Sequence, residues 1–188
     1  MNRDNHYEAA FEAFLRTLGV AVVAVDEARR SYLDAESVKS PDFLVVGPHD
    51  ARLVVDVKGR KFPGGPAEHP RKVWENWSTR GDIDGLTKWA TRFGPGFRAV
   101  LAFVYHIAPE FALPDETPDQ FTFRDRTYLM RGVAVCDYRS AMRTRSPRWG
   151  TVHLPAAAFR EVVAPFSDFL RGAPEAKPAT SYQLAAKP

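Results

Sequence analysis

The sequence predicts an α/β fold with a mixed sheet flanked by helices, and three observations carry that expectation. Apolar runs of strand length recur along the first hundred residues, bracketed by two segments with helix-spaced apolar residues. Two of those runs, 41–46 and 53–58, flank a break rich in turn formers and read as a hairpin. The order to about residue 106 is therefore helix, strand, strand, strand, helix, strand.

The first helix is expected over 6–18. Tyr7, Phe11, Phe14 and Leu18 recur at helical spacing, and Gly19 marks the stop. At about 100° per residue, Glu8 lies about 80° from the centre of that stripe, at the border of the buried face, and Glu12 lies further toward solvent. Val20 to Val25 reads as a strand, and Asp26 to Ser40 as a polar segment. The hairpin follows, then a Gly- and Pro-rich loop from Gly59 to Pro70 whose Gly64-Gly65 lacks the context of a nucleotide-binding loop. Trp74 and Trp77 lie in a short aromatic segment, expected to anchor core or loop rather than to stack on bases. A second helix is expected over about 82–93: Leu86, Trp89, Ala90 and Phe93 share a stripe, Thr79 and Asp82 have capping-pair spacing, and Gly94-Pro95 ends it. Phe97 to Tyr105 is the next strand. Beyond it, Phe121–Phe123 and Tyr128–Cys136 read as strands, and Phe159–Leu170 as helix interrupted at Pro165. Residues 1–171 are expected to form one domain with its core at about 5–106, and 172–188, rich in Ala and Pro, a flexible tail.

The hairpin carries the chemistry. Folded about His49, it sets Val46 opposite Arg52, Leu44 opposite Val54 and Asp42 opposite Asp56. Opposed like charges on adjacent strands are destabilising unless a cation sits between them. Lys58 is two residues past Asp56 and so points to the same face. Two carboxylates and an ammonium thus converge. Carboxylate oxygens suit a hard cation, Mg²⁺ where phosphate is the substrate, and the carbonyl of Val57 could complete the set. Such an ion polarises a phosphoryl oxygen and acidifies a bound water. Lys58 could orient that water or neutralise charge on the phosphate, and Glu8 could bind the ion directly, through water, or hold a second one. Together these parts suit phosphodiester hydrolysis.

The chain of 188 residues is 45% hydrophobic and 26% charged, ordinary for a globular protein with a real core. Its polar start, with no apolar h-region and no membrane-length run, points to the cytoplasm. The lone Cys136 lies in an apolar run and is expected to be buried. Net charge is +3 but uneven. Residues 1–57 carry 6 basic and 10 acidic side chains, 58–98 carry 9 and 4, and 119–148 carry 7 and 3. Basic segments after an acidic third suit a phosphate backbone approaching a metal site. Arg60, Lys61, Lys88 and Arg92 are the first candidates for phosphate contact, and Arg139, Arg143, Arg145 and Arg148 the next. His6 could touch phosphate or metal, though an ordinary helix histidine is the expectation; His49 in the turn and His69 in the Pro-rich loop are expected to be exposed, and His106 and His153 have no partner at metal-ligand spacing.

Pro41-Asp42, a hairpin, then Asp56-x-Lys58, preceded by a helix bearing Glu8, resembles the PD-(D/E)XK nuclease superfamily through about residues 5–106. The resemblance implies a restriction-endonuclease-like αβββαβ core with a C-terminal extension. It implies a Mg²⁺-dependent nuclease acting on DNA in repair, recombination or restriction, with Mn²⁺ able to substitute. By motif, Glu8, Asp42, Asp56 and Lys58 are its catalytic residues, with Asp42, Asp56, Glu8 and the Val57 carbonyl at the metal. His6-Tyr7-Glu8-Ala9-Ala10-Phe11-Glu12 also resembles the signature of the uncharacterised bacterial HYExAFE family. Two alternatives stand beside the enzyme: a nucleic-acid-binding module with a silent site, and a non-enzymatic interaction subunit. A homodimer is compatible with the sequence and not required by it.

Overall fold

In the computed structural model the described residues are 5–25, 31–33, 36–48, 50–66 and 68–171, with 31–33 and 36 described by their backbone alone. Asn5 caps the first helix, α1 (His6–Thr17), its side chain accepting from the Tyr7 N–H at 3.2 Å. Gly19 then takes a left-handed φ of 68° and turns the chain into β1 (Ala21–Ala24). A short hairpin, β2 (Ser31–Leu33) and β3 (Glu36–Val38), stands where the sequence predicted only a polar segment. Next come β4 (Phe43–Val46) and β5 (Arg52–Phe62). Their register is the predicted one, with Val46↔Arg52, Leu44↔Val54 and Phe43↔Val55.

β6 (Ser78–Thr79) leads into α2 (Arg80–Phe93), whose capping box joins Thr79 and Asp82 as the spacing predicts. β7 (Phe97–Ile107) lies parallel to β5 over its whole length, from Arg52↔Phe97 to Phe62↔Ile107. That pairing carries β5 past Gly59 to Phe62, where a loop was expected. A glycine fits there because a Cβ at position 59 would lie 2.3 Å from the Tyr7 ring.

β8 (Gln120–Phe123) and β9 (Arg126–Ala134) follow. The C-terminal extension adds α3 (Val135–Ala141), β10 (Arg143–Ser146), β11 (Thr151–His153), α4 (Ala156–Val162), β12 (Ala164–Pro165) and a 3₁₀ turn over Phe166–Arg171. The helix expected over Phe159–Leu170 is thus α4, shifted toward the N-terminus, because Ala164–Pro165 pairs with β9 instead. Cys136 corrects another expectation: it is exposed. The apolar run crosses from β9 into α3, and the helical turn at buried Val135 carries the next side chain outward. The tail over 172–188 and His49 lie outside the described residues.

The main sheet runs β1-β4-β5-β7-β9-β12, with β8 also on β9. β5 and β7 are parallel and the other pairs antiparallel, so the sheet is mixed. Helix, three sheet strands, helix, strand is the αβββαβ order expected from the sequence. Strand alternation splits the core. Val55 and Val57 face α1, with Phe11 and Phe14, while Val54 faces α2, with Ile83 and Leu86. Among the described residues no helix is long and apolar enough to cross a membrane.

Candidate active site

β4 and β5 part immediately after Phe43↔Val55. Asp42 closes the ladder there, its N–H donating to the Val55 carbonyl at 2.9 Å. Its carboxylate then turns over the next residue and accepts from the Val57 N–H through Oδ2 at 2.5 Å. The Val57 N–H and C=O therefore lie past the last strand pair, beside a carboxylate that is 5% exposed. Asp56, at 1% exposure, points to the α2 side.

Lys58 follows on the same face, as the alternation requires. Its ammonium pairs with Asp56 Oδ2 and also lies 2.8 Å from Asp82 Oδ2. A second lysine completes the group. Lys39 Nζ lies 3.1 Å from Asp56 Oδ1 and 2.6 Å from Asp82 Oδ1. Two carboxylates and two ammoniums thus alternate around a ring, with the Lys39 side chain 43% exposed and Lys58 only 12%.

Sequence reasoning missed Lys39 and Asp82. Asp82 was legible as a helix cap, and it is one: its Oδ2 accepts from the Thr79 N–H and the Ser78 hydroxyl, both at 2.9 Å. The same carboxylate faces the lysines, because α2 begins beside β5. Burial works against the Asp82 charge, but Lys58 and then Lys39 overcome it and hold the carboxyl well below the usual carboxylate range. Burial likewise opposes the Lys39 charge, and Asp56 and Asp82 outweigh it, raising that ammonium above its ordinary value. The Lys39 backbone is fixed by α2: Trp89 Nε1 donates to its carbonyl at 3.0 Å, and Gly85 leaves room for the close approach.

The remaining predicted site residues are not members of this ring. Glu8 is buried in the first turn of α1, which packs on the opposite face, and it accepts from the Asn5 amide. Among the described residues no three His, Cys, Asp or Glu side chains gather as a metal-holding group, so Glu8, Asp42 and Asp56 do not form one. Arg60 and Lys61 point to opposite faces of β5. The Arg60 guanidinium donates to the Gly59 carbonyl at 2.7 Å and to the Trp77 carbonyl, and sits 3.9 Å over the Trp77 ring. Lys61, Lys88 and Arg92 are exposed. His6 bonds through Nδ1 to the Tyr128 hydroxyl at 2.8 Å, and its ring lies 5.7 Å from that of His106. Burial first, then nearby cationic groups, lowers the pKa of both histidines. Trp74 stacks on Phe62 at 3.7 Å, as expected of an anchor.

The donor chemistry fits a hard divalent cation: carboxylate oxygens at Asp42 and Asp56, and a backbone carbonyl at Val57 beyond the ladder's end. The charge it would bring is supplied in this structure by ammonium groups on Asp56. Lys39, the more exposed of the two, is the one able to swing out.

No protein-family model matches the chain, and no curated protein matches it. The resemblance to the HYExAFE signature therefore stands on residues 6–12 alone. Among solved structures, the chain is similar to Hjc, a Holliday junction resolvase of the archaeal hyperthermophile Archaeoglobus fulgidus. The identity is 14% and the TM-score 0.47, over 84% of this chain and 92% of that one.

Proposed function

We propose that this protein is a metal-dependent nuclease of the PD-(D/E)XK type that hydrolyses DNA phosphodiester bonds. The observation that carries the reading is the junction of β4 and β5. There Asp42 is locked onto the Val57 N–H, while Asp56 and Lys58 project together beside the same edge. Asp42, Asp56 and the Val57 carbonyl would hold Mg²⁺, or Mn²⁺ in its place. When bound, the ion polarises the phosphoryl oxygen and acidifies water.

The chain's own residues do the rest. Lys58, held by Asp56 and Asp82, presents a fixed positive charge to the phosphate oxygens as negative charge grows on them. Asp82 acts through Lys58 and is a positioning residue. Lys88 and Arg92 lie on the exposed face of α2 and would meet the phosphate backbone.

The test is cleavage of single-stranded, duplex, nicked and four-way DNA with Mg²⁺ or Mn²⁺. Lys58→Ala is expected to lose at least about 100-fold in rate, within the range of a transition-state electrostatic interaction, while keeping its metal-induced melt shift, since an ammonium is no metal ligand. Wild-type cleavage by Lys58→Ala would remove the catalytic assignment. DNA binding without cleavage at any metal concentration would favour the silent module.

A further inference from the structure

A cleft on the α2 side shares no lining residue with the Lys39–Asp56–Lys58–Asp82 ring. It is a cleft of about 950 Å³ between residues 71–77, β9 and the β11–α4 corner. That volume lies within the range of small-ligand sites. Its depth is apolar: Tyr105, Leu129, Leu154 and Phe159 are each 5% exposed or less. Its rim is basic. Arg71, Lys72, Arg145 and Arg160 are exposed there, and half-buried Arg131 joins them, against Glu75 as the one acidic side chain of the lining.

The walls are built rather than loose. Asn76 donates through Nδ2 to the Leu154 carbonyl at 3.1 Å and accepts from the Leu154 N–H at 2.9 Å. The Tyr138 hydroxyl lies 2.8 Å from the Asn76 carbonyl and 3.1 Å from that of Val152. These buried bonds tie the 71–77 segment to α3 and to the residue after β11, across sequence separations of 62 and 78 residues. The cleft is thus in place before anything enters it, which lowers the ordering cost of binding.

Strand β5 links the cleft to the candidate active site. On one face of β5 stand Asp56, Lys58, Arg60 and Phe62 in turn. Arg60 lies over Trp77 and Phe62 stacks on Trp74, both of which line the cleft. At about 3.3 Å per residue, Lys58 and Phe62 are about 13 Å apart along the strand.

An apolar interior with a cationic rim matches a ligand with an aromatic body and phosphates on its outside. In a duplex the base faces are hidden in the stack, so only an unpaired nucleotide can offer one to a cleft. We propose that this cleft binds an unpaired nucleotide of a DNA strand whose neighbouring phosphate lies at Lys58, with the base inside and its phosphates on Arg145 and Arg160. The nuclease reading supplies the identity of the ligand. The consequence is a preference for substrates with a single-stranded segment beside the cut.

The experiment is fluorescence anisotropy in EDTA, where no cleavage can occur. The probes are a single strand of about 12 nucleotides and a hairpin duplex of the same sequence. The 188-residue chain is expected to bind the single strand more tightly. Arg145→Glu with Arg160→Glu should weaken single-strand binding at least tenfold and flatten its salt slope by about 0.7 for each phosphate no longer neutralised. Ala156→Trp, on the exposed first residue of α4, should fill the cleft and weaken single-strand binding with the salt slope kept. Arg16→Glu, a single charge reversal on α1 on the opposite face, should change neither. Melting curves establish that each variant is folded. Equal affinity for the two probes, or wild-type single-strand binding by both cleft variants, would overturn the proposal. Because no metal is present, the outcome is independent of cleavage: an inactive protein that captures single strands here loses only the nuclease reading, and an active one indifferent to these variants loses only the cleft.

Discussion

Asp82→Asn removes one charge from the centre of the Lys39–Asp56–Lys58–Asp82 ring and changes almost nothing in shape. Asparagine still accepts from the Thr79 N–H, so the capping box survives in part. What disappears is the charge facing Lys58 at 2.8 Å and Lys39 at 2.6 Å. Removing one partner of a buried ion pair costs about 3–5 kcal/mol, because the other charge stays buried without compensation. Here Lys58 keeps its ion pair with Asp56, so only the lower end of that range applies to it. Lys39 is 43% exposed and can turn to water, so its share is discounted as for a surface pair. The expected loss is about 3 kcal/mol, or about 6–12 °C in Tm for a chain of this size.

The pH dependence gives a second signature. The Asp82 carboxyl is depressed in the folded state, so its contribution is complete above the unfolded aspartate value of about 3.9 and is lost as pH falls through the lower folded value. The stability gap between wild type and Asp82→Asn should therefore be constant from about pH 5 to 8 and narrow below about pH 4. Urea unfolding across that range measures it. A gap under about 0.5 kcal/mol at neutral pH, the scatter of ordinary surface substitutions, would refute the view that this ring is an electrostatic unit.

Mg²⁺ or Mn²⁺ at about 100 times its dissociation constant should add about 2.7 kcal/mol to wild-type stability, and Asp56→Ala should abolish the shift in a thermal melt; an equal shift in both proteins would move the ion elsewhere. Lys39→Met should enlarge the metal-induced shift and tighten Mn²⁺ binding by calorimetry, since it frees Asp56 Oδ1 from an ammonium 3.1 Å away; an unchanged Mn²⁺ affinity would mean that Lys39 does not compete. Gly59→Ala should destabilise by about 1–3 kcal/mol, because its Cβ meets the Tyr7 ring at 2.3 Å, and a Tm within a degree of wild type would show that α1 yields there.

The hairpin was legible because its information is local. A five-residue break rich in turn formers and a period of two fix which residues oppose, so Asp42, Asp56 and Lys58 followed by arithmetic, and the observed Phe43↔Val55 register agrees. The first helix and the α2 cap rest on similar short spacings. Lys39 was not legible, because a lysine in a polar stretch carries no periodic signal. It meets Asp56 across 17 residues and Asp82 across 43. The length of β5 was misread because Gly59 looks like a breaker in isolation and becomes a strand residue only where β7 pairs along it and Tyr7 packs on it. Cys136 was misread because burial at the strand-to-helix junction depends on where the helix begins. The sequence by itself determined the order of the core elements to about residue 106, the β4–β5 register and the placing of Asp56 and Lys58 on one face. The tertiary structure alone decided that α2 delivers a second carboxylate to Lys58 and that a basic cleft opens beyond it. Both depend on packing between distant segments, which no local spacing encodes.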